Sequence, residues 1–208
     1  MNVKLVDARF SYMNVLKPKE QKNDRGDVTR KFSCNMLVPK NGPDHKALTE
    51  AIEAVAVGQW GVKAEGVLKK LYADNRVCLK DGDMELDKNG ELRPGYEGCM
   101  SLRTSANVDS PPRMFNRFGE KITEETKHEF TGERRGPSSG DFGEALVRLW
   151  AQDNQDPTIG RRINCQLVAV LFRKVGESLS RREMSDDQLL QQFTIDARSD
   201  VALEDMAS

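Results

Sequence analysis

Two long segments near the end of the chain restrict the fold more than any other part of the sequence. FGEALVRLWAQD, from Phe142 to Asp153, alternates its side chains between two faces, and RRINCQLVAVLFRKV, from Arg161 to Val175, is apolar on both faces. Alternation predicts a strand with one buried face, and a short apolar run rich in β-branched residues predicts a strand buried on both. The NQDPTIG segment between them is typical of a hairpin loop. The body of the protein is therefore expected to close with an antiparallel hairpin.

A second hairpin is predicted at the start of the chain. Val3 to Leu16 forms a long strand with a bend, and KFSCNMLVP follows as a strand with Phe32, Cys34, Met36 and Val38 on one face. The segment between these strands is polar and contains an Asn-Asp-Arg-Gly turn.

The hydrophobic period then changes from that of a strand to that of a helix. PDHKALTEAIEAVAVGQWG places Leu48, Ile52, Val55 and Ala56 on one face, which predicts one amphipathic helix. The next stretch, to about Tyr72, is basic and has no clear period.

Short strands return after the helix. They are predicted in RVCLKDGD, in MELDKNGEL, in Gly98 to Asn107 and in PPRMFNRFG, and a polar excursion covers Glu120 to Gly140. About seven strands with one inserted helix are typical of an OB-fold-like antiparallel barrel with extra hairpins. The helix follows the second strand, earlier than its usual place between the third and fourth barrel strands.

Charge is unevenly distributed along the chain. The segment from Glu183 to Ser208 holds seven carboxylates and one base, Arg198, for a net charge of −6. The remaining 182 residues carry 31 bases and 26 acids, so a total of −1 conceals a basic body with an anionic end. Such asymmetry indicates a body that attracts a polyanion and a tail that can mimic one. A solvated terminus without a role is the alternative.

Several classes of protein are excluded by the residues present. No run approaches the ~20 apolar residues of a membrane span, and the N-terminus lacks the pattern of a secretory signal. The four cysteines are isolated singles, as expected for reduced thiols in a cytoplasm. Two histidines, and no GxxxxGKS/T, GxGxxG or GxSxG motif, leave little for a zinc site, a nucleotide cradle or a catalytic triad. We therefore expect a cytoplasmic, non-enzymatic protein with no cofactor, metal or membrane partner.

One acidic cluster leaves an enzymatic alternative open. Asp81, Asp83 and Glu85 alternate along the chain, so they could project from one side of a strand. A metal-dependent nuclease holds its ions with carboxylates grouped in this way. The same residue types are also common in turns, and a Lys-Asn-Gly turn sequence follows them.

Basic and aromatic residues occur together on the predicted strands. Cationic side chains can follow phosphates while flat rings stack on unpaired bases, at about 1–3 kcal/mol per base. Tyr12, Tyr96 and Trp150 are the rings expected at the surface, because each has polar neighbours and a polar edge. Three other rings are more typical of a core: Phe10, Phe32 and Phe172. The predicted nucleic-acid-binding residues are Tyr12, Lys17, Lys31, Lys80, Tyr96, Arg103, Arg113, Phe115, Arg117, Arg148 and Trp150.

Several phrases follow one another in a recognisable order. ARFSYMNVLKP is followed by NMLVPKNGPDHKALTEAIEAV, LKDGD, Tyr96-Glu97-Gly98, SLRTSANVDSPPRMFNR and the two closing strands. In this order they resemble a family of tailed-phage single-stranded DNA-binding proteins, formerly catalogued as a domain of unknown function and related to the T7-like OB-fold proteins. The resemblance covers roughly Met1 to Gly176.

The resemblance implies an OB-fold domain over residues 1–176 that binds single-stranded DNA without regard to sequence. Such a protein coats and protects exposed DNA in phage replication or recombination, in the host cytoplasm, as a monomer or homodimer. Residues 177–208 would form a flexible acidic tail that competes with DNA and docks replication proteins. The tail residues expected to act in this way are Asp186, Asp187, Phe193, Asp196, Asp200, Glu204 and Asp205.

The end of the tail departs from the family pattern. Related tails usually finish on an aromatic residue that anchors partner contacts, whereas this one ends Asp205-Met206-Ala207-Ser208. Phe193 or Met206 would have to take that place. A third interpretation, beside the DNA-binding protein and the nuclease, is a non-catalytic adaptor that binds a protein through its tail and only incidentally has a basic body.

Deletion of Glu183 to Ser208 is predicted to raise the affinity for single-stranded DNA, because the deleted segment carries a net charge of −6 and competes for the same basic surface. Fluorescence anisotropy with a labelled oligonucleotide, for the full chain and for a chain ending at Arg182, measures the change. Equal or weaker binding by the shortened chain would contradict autoinhibition by the tail.

Overall fold

The computed structural model describes residues 1–22, 26, 28–127, 137–154, 156 and 159–179. The strands are β1 (Asn2–Lys22), β2 (Val28–Pro39), β3 (Leu79–Asp81), β4 (Cys99–Asn107), β5 (Arg113–Phe115), β6 (Lys121–Ile122), β7 (Phe142–Asp153) and β8 (Arg161–Lys174). The helices are α1 (Pro43–Trp60) and α2 (Ala64–Ala73), joined by a 3-10 turn at Gly61–Lys63.

Five of the described strands close into a barrel. β1 pairs antiparallel with β2 on one side and β7 on the other, β2 pairs with β4, and β7 pairs with β8. The ring is completed by a parallel contact between β4 and β8, where Ser105 is paired with Gln166. Short strands extend this sheet, with β3 on β4, and β5 and β6 beyond β8. This order confirms the OB-fold-like barrel with extra hairpins.

The barrel interior is filled with apolar side chains. Leu5, Met36, Leu102, Leu149 and Phe10 are fully buried, and Phe32 and Phe172 join the same cluster. The three phenylalanines predicted as core are therefore confirmed. Because side chains fill the barrel, any ligand as long as a nucleic acid strand must bind on its outer surface.

The inserted helical segment follows the second barrel strand, as the sequence predicts. α1 covers the predicted segment from Pro43 to Trp60, and α2 forms in the stretch to Tyr72 where no clear period is visible. Ala64, Leu68 and Leu71 are the buried residues of α2, at helical spacing. Three apolar positions in a basic sequence are too few to reveal a helical period. The helix is stabilised by the packing of these three residues against the core. Neither helix, within the part of the chain that is described, is long and apolar enough to cross a membrane.

A buried carboxylate joins α1 to the barrel. The pairing of β1 with β7 shifts register between Leu5 and Ala8, which leaves the amides of Val6 and Asp7 outside the ladder. Asp44, in the first turn of α1, accepts hydrogen bonds from the Val6 amide at 2.9 Å and from the Asp7 amide at 2.9 Å. Its side chain is buried. The bulge in β1 is therefore stabilised by a helix residue 37 positions away.

Asp44→Ala is predicted to lower the free energy of unfolding by about 2–3 kcal/mol, because two amides in a partly buried setting lose a charged acceptor. Urea denaturation followed by tryptophan fluorescence measures the loss. Glu53→Ala, an exposed acid on the same helix, should stay within about 0.5 kcal/mol. Equal stability of the two variants would show that the bulge does not depend on Asp44.

Candidate nucleic-acid interface

An open groove of about 1570 Å³ crosses the outer face of the barrel. Its walls come from β1, β2, β4, β7 and β8 and from the bases of the β1–β2 and β7–β8 hairpins. In OB folds this face, over the second and third barrel strands and between those two hairpins, is where oligonucleotides bind. The groove floor carries neutral polar side chains, among them Asn35, Thr104 and Asn164.

Positive charge predominates along the groove. Among the described residues that line it, seven are basic and two, Glu20 and Asp74, are acidic. The basic residues are Lys19, Lys31, Arg76, Lys80, Arg93, Arg103 and Arg162. A groove whose lining residues carry a net charge of +5 attracts a polyanion and raises its local concentration.

Two aromatic rings stand exposed in this groove. Tyr12 on β1 is 52% exposed and Trp150 on β7 is 45% exposed, so both rings can be reached from solvent. Both were expected at the surface from their polar neighbours, and the structure confirms that placement. Rings of this size offer a stacking surface to any unpaired base.

The backbone of β1 aims Tyr12 into the groove. Between Ser11 and Asn14 the pairing with β2 gains an extra residue, and Tyr12 itself has a φ of 49°. A non-glycine residue in this left-handed region costs roughly 1–3 kcal/mol and is found where a bulge re-aims a side chain. The Asn14 side-chain amide donates to the Tyr12 carbonyl at 2.9 Å, which satisfies a polar group that the bulge takes out of the ladder.

The guanidinium of Arg93 lies over one face of the Tyr12 ring. Its guanidinium carbon lies 5.4 Å from the ring centroid, and Nη1 donates to the Tyr12 hydroxyl at 3.1 Å. The Arg93 Nε donates to the carbonyl of Leu86 at 3.0 Å. Glu85 lies behind two arginines of the groove, Arg93 and Arg103. Its Oε1 accepts a hydrogen bond from Arg103, and its Oε2 is 3.8 Å from Arg93 Nη1.

The acidic cluster predicted as a possible metal site is occupied by cations of the protein. Lys40 Nζ lies 2.5 Å from Asp81 and 2.6 Å from Asp83, while Glu85 pairs with arginines on the other side. The hydrogen bond from Lys40 lowers the pKa of Asp83 below its ordinary value. No group of three metal-ligating side chains is found within the described ranges. The three carboxylates therefore do not converge on one ion, and the contacts argue against the nuclease alternative.

A glycine fixes the path of this acidic turn. Gly82 is buried, and a Cβ added to it would collide with the carbonyl oxygens of Tyr96 and Cys99. The LKDGD phrase thus passes directly beneath the loop that carries Tyr96. Asp83 accepts a hydrogen bond from the amide of Gly98 at 2.8 Å, which joins the two loops.

Lys80 is the groove cation with the most altered acidity. Burial, together with the nearby positive charge of Arg103 and against an opposing effect of Glu85, lowers the pKa of its ammonium to about 8. The ammonium donates to the backbone carbonyl and the side-chain oxygen of Asn75. Lys80 therefore loses its charge at a lower pH than an ordinary lysine does.

Tyr96 is the one predicted surface ring that the structure places in the core. It is 1% exposed, and its hydroxyl accepts from Asn35 and donates to Ser11, each at 3.1 Å. Two hydrogen bonds inside the protein satisfy the polar edge that water was expected to satisfy. A ring so buried has no free face for a base, so the expectation for Tyr96 is corrected to a structural role beneath the groove.

The remaining predicted site residues divide into two groups. Lys31, Lys80, Arg103, Tyr12 and Trp150 line the groove. The residues outside it are Lys17, Arg113, Phe115, Arg117 and Arg148.

Those outside the groove have other surroundings. Arg113 and Phe115 belong to β5, which pairs with β8 beyond the groove. The guanidinium carbon of Arg117 lies 4.7 Å from the centroid of the Phe118 ring. Arg148 shares a face of β7 with Trp150, but its Nε donates to Asn2 at 3.3 Å. Contacts with these residues would require a strand that runs past the ends of the groove.

Four groove cations were missed by sequence reasoning. Lys19 lies in the predicted hairpin tip, which instead continues the paired strands, with Lys19 opposite Lys31. Arg76 and Arg162 reach the groove through the parallel bridge of Val77 with Ile163. The fourth, Arg93, stands in an Arg-Pro-Gly turn without a hydrophobic period. Its position between LKDGD and the Tyr-Glu-Gly segment was the only sequence feature that could have identified it as a groove residue. The predicted tail residues, Asp186 to Asp205, lie outside the described residues.

The comparisons with known proteins agree with this geometry. Residues 1–201 match the family model described as the ssDNA-binding protein of Enterobacter phage Enc34. The chain is similar to the single-stranded DNA-binding protein from bacteriophage Enc34 in complex with ssDNA, with a TM-score of 0.63 and 26% identity over 85% of this chain and 88% of that chain. A second structure of the Enc34 protein gives a TM-score of 0.62 and 25% identity over 89% of each chain.

A more distant similarity concerns the fold alone. The single-stranded DNA-binding protein gp2.5 of bacteriophage T7 superposes with a TM-score of 0.51 at 9% identity, over 92% of this chain and 93% of that chain. No curated protein sequence matches the chain. The family model spans nearly the whole sequence, and on that ground the chain belongs to the family of the Enterobacter phage Enc34 single-stranded DNA-binding protein.

Proposed function

We propose that the chain binds single-stranded DNA in the groove on the outer face of the barrel, without regard to sequence. The observation that carries this proposal is the pairing of two exposed rings, Tyr12 and Trp150, with seven basic side chains in one open groove. Duplex DNA hides the faces of its bases in the stack, so exposed rings favour unpaired bases. The Enc34 relative whose structure contains ssDNA supports the choice of ligand.

In the proposed mechanism the rings and the cations have separate tasks. Tyr12 on β1 and Trp150 on β7 each stack on a base, while Lys31, Lys80 and Arg103 contact phosphates. Stacking accepts any base and phosphate contacts carry no sequence information, so the binding is independent of sequence. The neutral polar floor adapts to different base edges, because side-chain amides and hydroxyls can donate or accept.

We infer the biological role from these contacts and from the family of the chain. A protein that covers unpaired bases and neutralises phosphates protects exposed single strands during phage replication or recombination, in the cytoplasm of the host. In this proposal residues 1–176 are the DNA-binding domain and residues 177–208 are an acidic tail that competes with DNA and binds replication proteins. The net charge of −6 over the last 26 residues supports competition for the groove.

Replacement of either exposed ring is predicted to weaken binding of a single-stranded oligonucleotide. Trp150→Ala and Tyr12→Ala each remove one stacking surface, so each should cost about 1–3 kcal/mol of binding free energy. Anisotropy titrations at one fixed salt concentration give the affinities.

Phe118→Ala is the matched control for these variants. Phe118 is 72% exposed but lies outside the groove, in the turn after β5, so its loss should leave the affinity unchanged. If the Phe118 variant weakens binding as much as the Trp150 variant does, the groove is not the binding site.

Binding is predicted to weaken as the pH rises from 7 to 9. Lys80 has a lowered pKa of about 8, so its ammonium is mostly charged at pH 7 and mostly neutral at pH 9, and the groove loses one positive charge over that range. The affinity should fall by about threefold, the effect of roughly one phosphate contact. Affinities measured at constant salt across this range test it. Lys80→Met should bind more weakly at pH 7 and lack this pH dependence, and an unchanged profile in that variant would assign the titration to another group.

A further inference from the structure

A buried carboxylate lies directly behind the cations of the groove. Glu85 is 9% exposed, and it lines a small cavity of about 270 Å³ next to the groove, together with Lys80 and Tyr72. Its two oxygens face two different arginines, Arg103 on β4 and Arg93 in the loop that precedes β4. Glu85 thus contacts side chains that line the groove without itself lining it.

The contacts of Glu85 continue to the stacking ring. Arg93 sits 3.8 Å from Glu85 on one side and donates to the Tyr12 hydroxyl at 3.1 Å on the other. Arg93 is only 29% exposed and also binds the Leu86 carbonyl, so its guanidinium has several fixed partners. One connected set, from Arg103 through Glu85 and Arg93 to Tyr12, therefore reaches from a phosphate-binding candidate to a base-stacking candidate.

An acid at this place works against long-range attraction of a polyanion. Each carboxylate near the groove reduces the positive potential that draws phosphates in. Burial of a carboxylate is itself unfavourable unless cations and hydrogen bonds compensate for the hydration it gives up. The arrangement is explained if the acid sets the positions of the arginines, which otherwise have long side chains with many rotamers.

We propose that Glu85 is a positioning residue for nucleic-acid binding, which holds Arg103 and Arg93, and through Arg93 the ring of Tyr12, in the geometry that a single strand requires. The inference rests on the proposed function of the groove. Arginines ordered before the ligand arrives lose less side-chain entropy on binding, so affinity rises although one negative charge has been added.

The electrostatic surroundings of Lys80 support the same role. Lys80 faces Arg103 from β4, Glu85 and Asp81 from the acidic turn, Cys78 on its own segment, Tyr72 from α2, and the Asn75 oxygens. Arg103 disfavours the ammonium of Lys80, and Glu85 favours it. Removal of the carboxylate should therefore also make Lys80 easier to deprotonate, so the pH at which binding weakens should move downward.

Glu85→Gln gives the decisive test, because positioning and simple electrostatics predict opposite signs. The variant removes one negative charge from the protein, so at pH 6, where Lys80 stays protonated, charge alone would make DNA binding tighter. Under the proposal, binding of a single-stranded oligonucleotide weakens by about tenfold, equivalent to about 1.4 kcal/mol. The slope of log affinity against log salt should also become shallower, by about 0.7 for each phosphate that the arginines no longer neutralise. Unchanged or tighter binding by a folded Glu85→Gln protein overturns the proposal.

Two further variants keep the test decisive. Glu20→Gln removes an exposed acid that lines the groove on β1, and it should tighten binding as charge alone predicts. Arg93→Lys keeps the charge but cannot bridge Glu85, the Leu86 carbonyl and the Tyr12 hydroxyl together, so it should weaken binding by about threefold or more. If Glu85→Gln fails to fold, as judged by circular dichroism and thermal unfolding, Arg93→Lys decides, and wild-type affinity in that variant overturns the proposal.

Failure of the proposed function gives a different pattern. Without binding in this groove, Trp150→Ala and Arg103→Gln would bind as the unaltered chain does. If those two variants weaken binding but Glu85→Gln and Arg93→Lys do not, the groove is the DNA site and only the positioning role is wrong.

Discussion

The contact between β4 and β8 is the constraint on which the rest of the structure depends. One parallel pairing, Ser105 with Gln166, joins strands that lie 61 positions apart and turns a twisted sheet into a closed barrel. Closure fills the interior with apolar side chains and leaves polar ones outside. Both paired residues line the groove, so the seam of the barrel is also part of the groove floor. The surface that carries the cations therefore exists only because the barrel closes there.

The elements could be predicted from the sequence wherever their pattern was long. β7 has the predicted limits, and the exposed rings Tyr12 and Trp150 were recognised from polar neighbours. Tyr96 has polar neighbours as well, yet two hydrogen bonds to distant residues draw it into the core. The local sequence does not distinguish Tyr96 from the two exposed rings, because its partners Ser11 and Asn35 come from strands that are far from Tyr96 in the sequence.

The same limit explains why the groove was predicted only in part. Arg93 lies in the groove in contact with Glu85 and Tyr12, although Tyr12 is far away in sequence. The local pattern around Arg93, a turn with proline and glycine, describes its backbone and says nothing of its contacts. Conversely, Arg113, Phe115 and Arg117 have the composition expected of a site, but β5 lies beyond the groove on β8. Composition identifies suitable residues, and the order of the strands decides which of them meet.

The position of the groove on the outside of a filled barrel has a topological consequence. A channel through a protein must be threaded from a free end, whereas a surface groove receives a strand from the side. A long single strand has few ends and many internal stretches, and a circular one has no end. A protein with this groove could therefore occupy an internal stretch as soon as it is unpaired, and leave it again without sliding to a terminus.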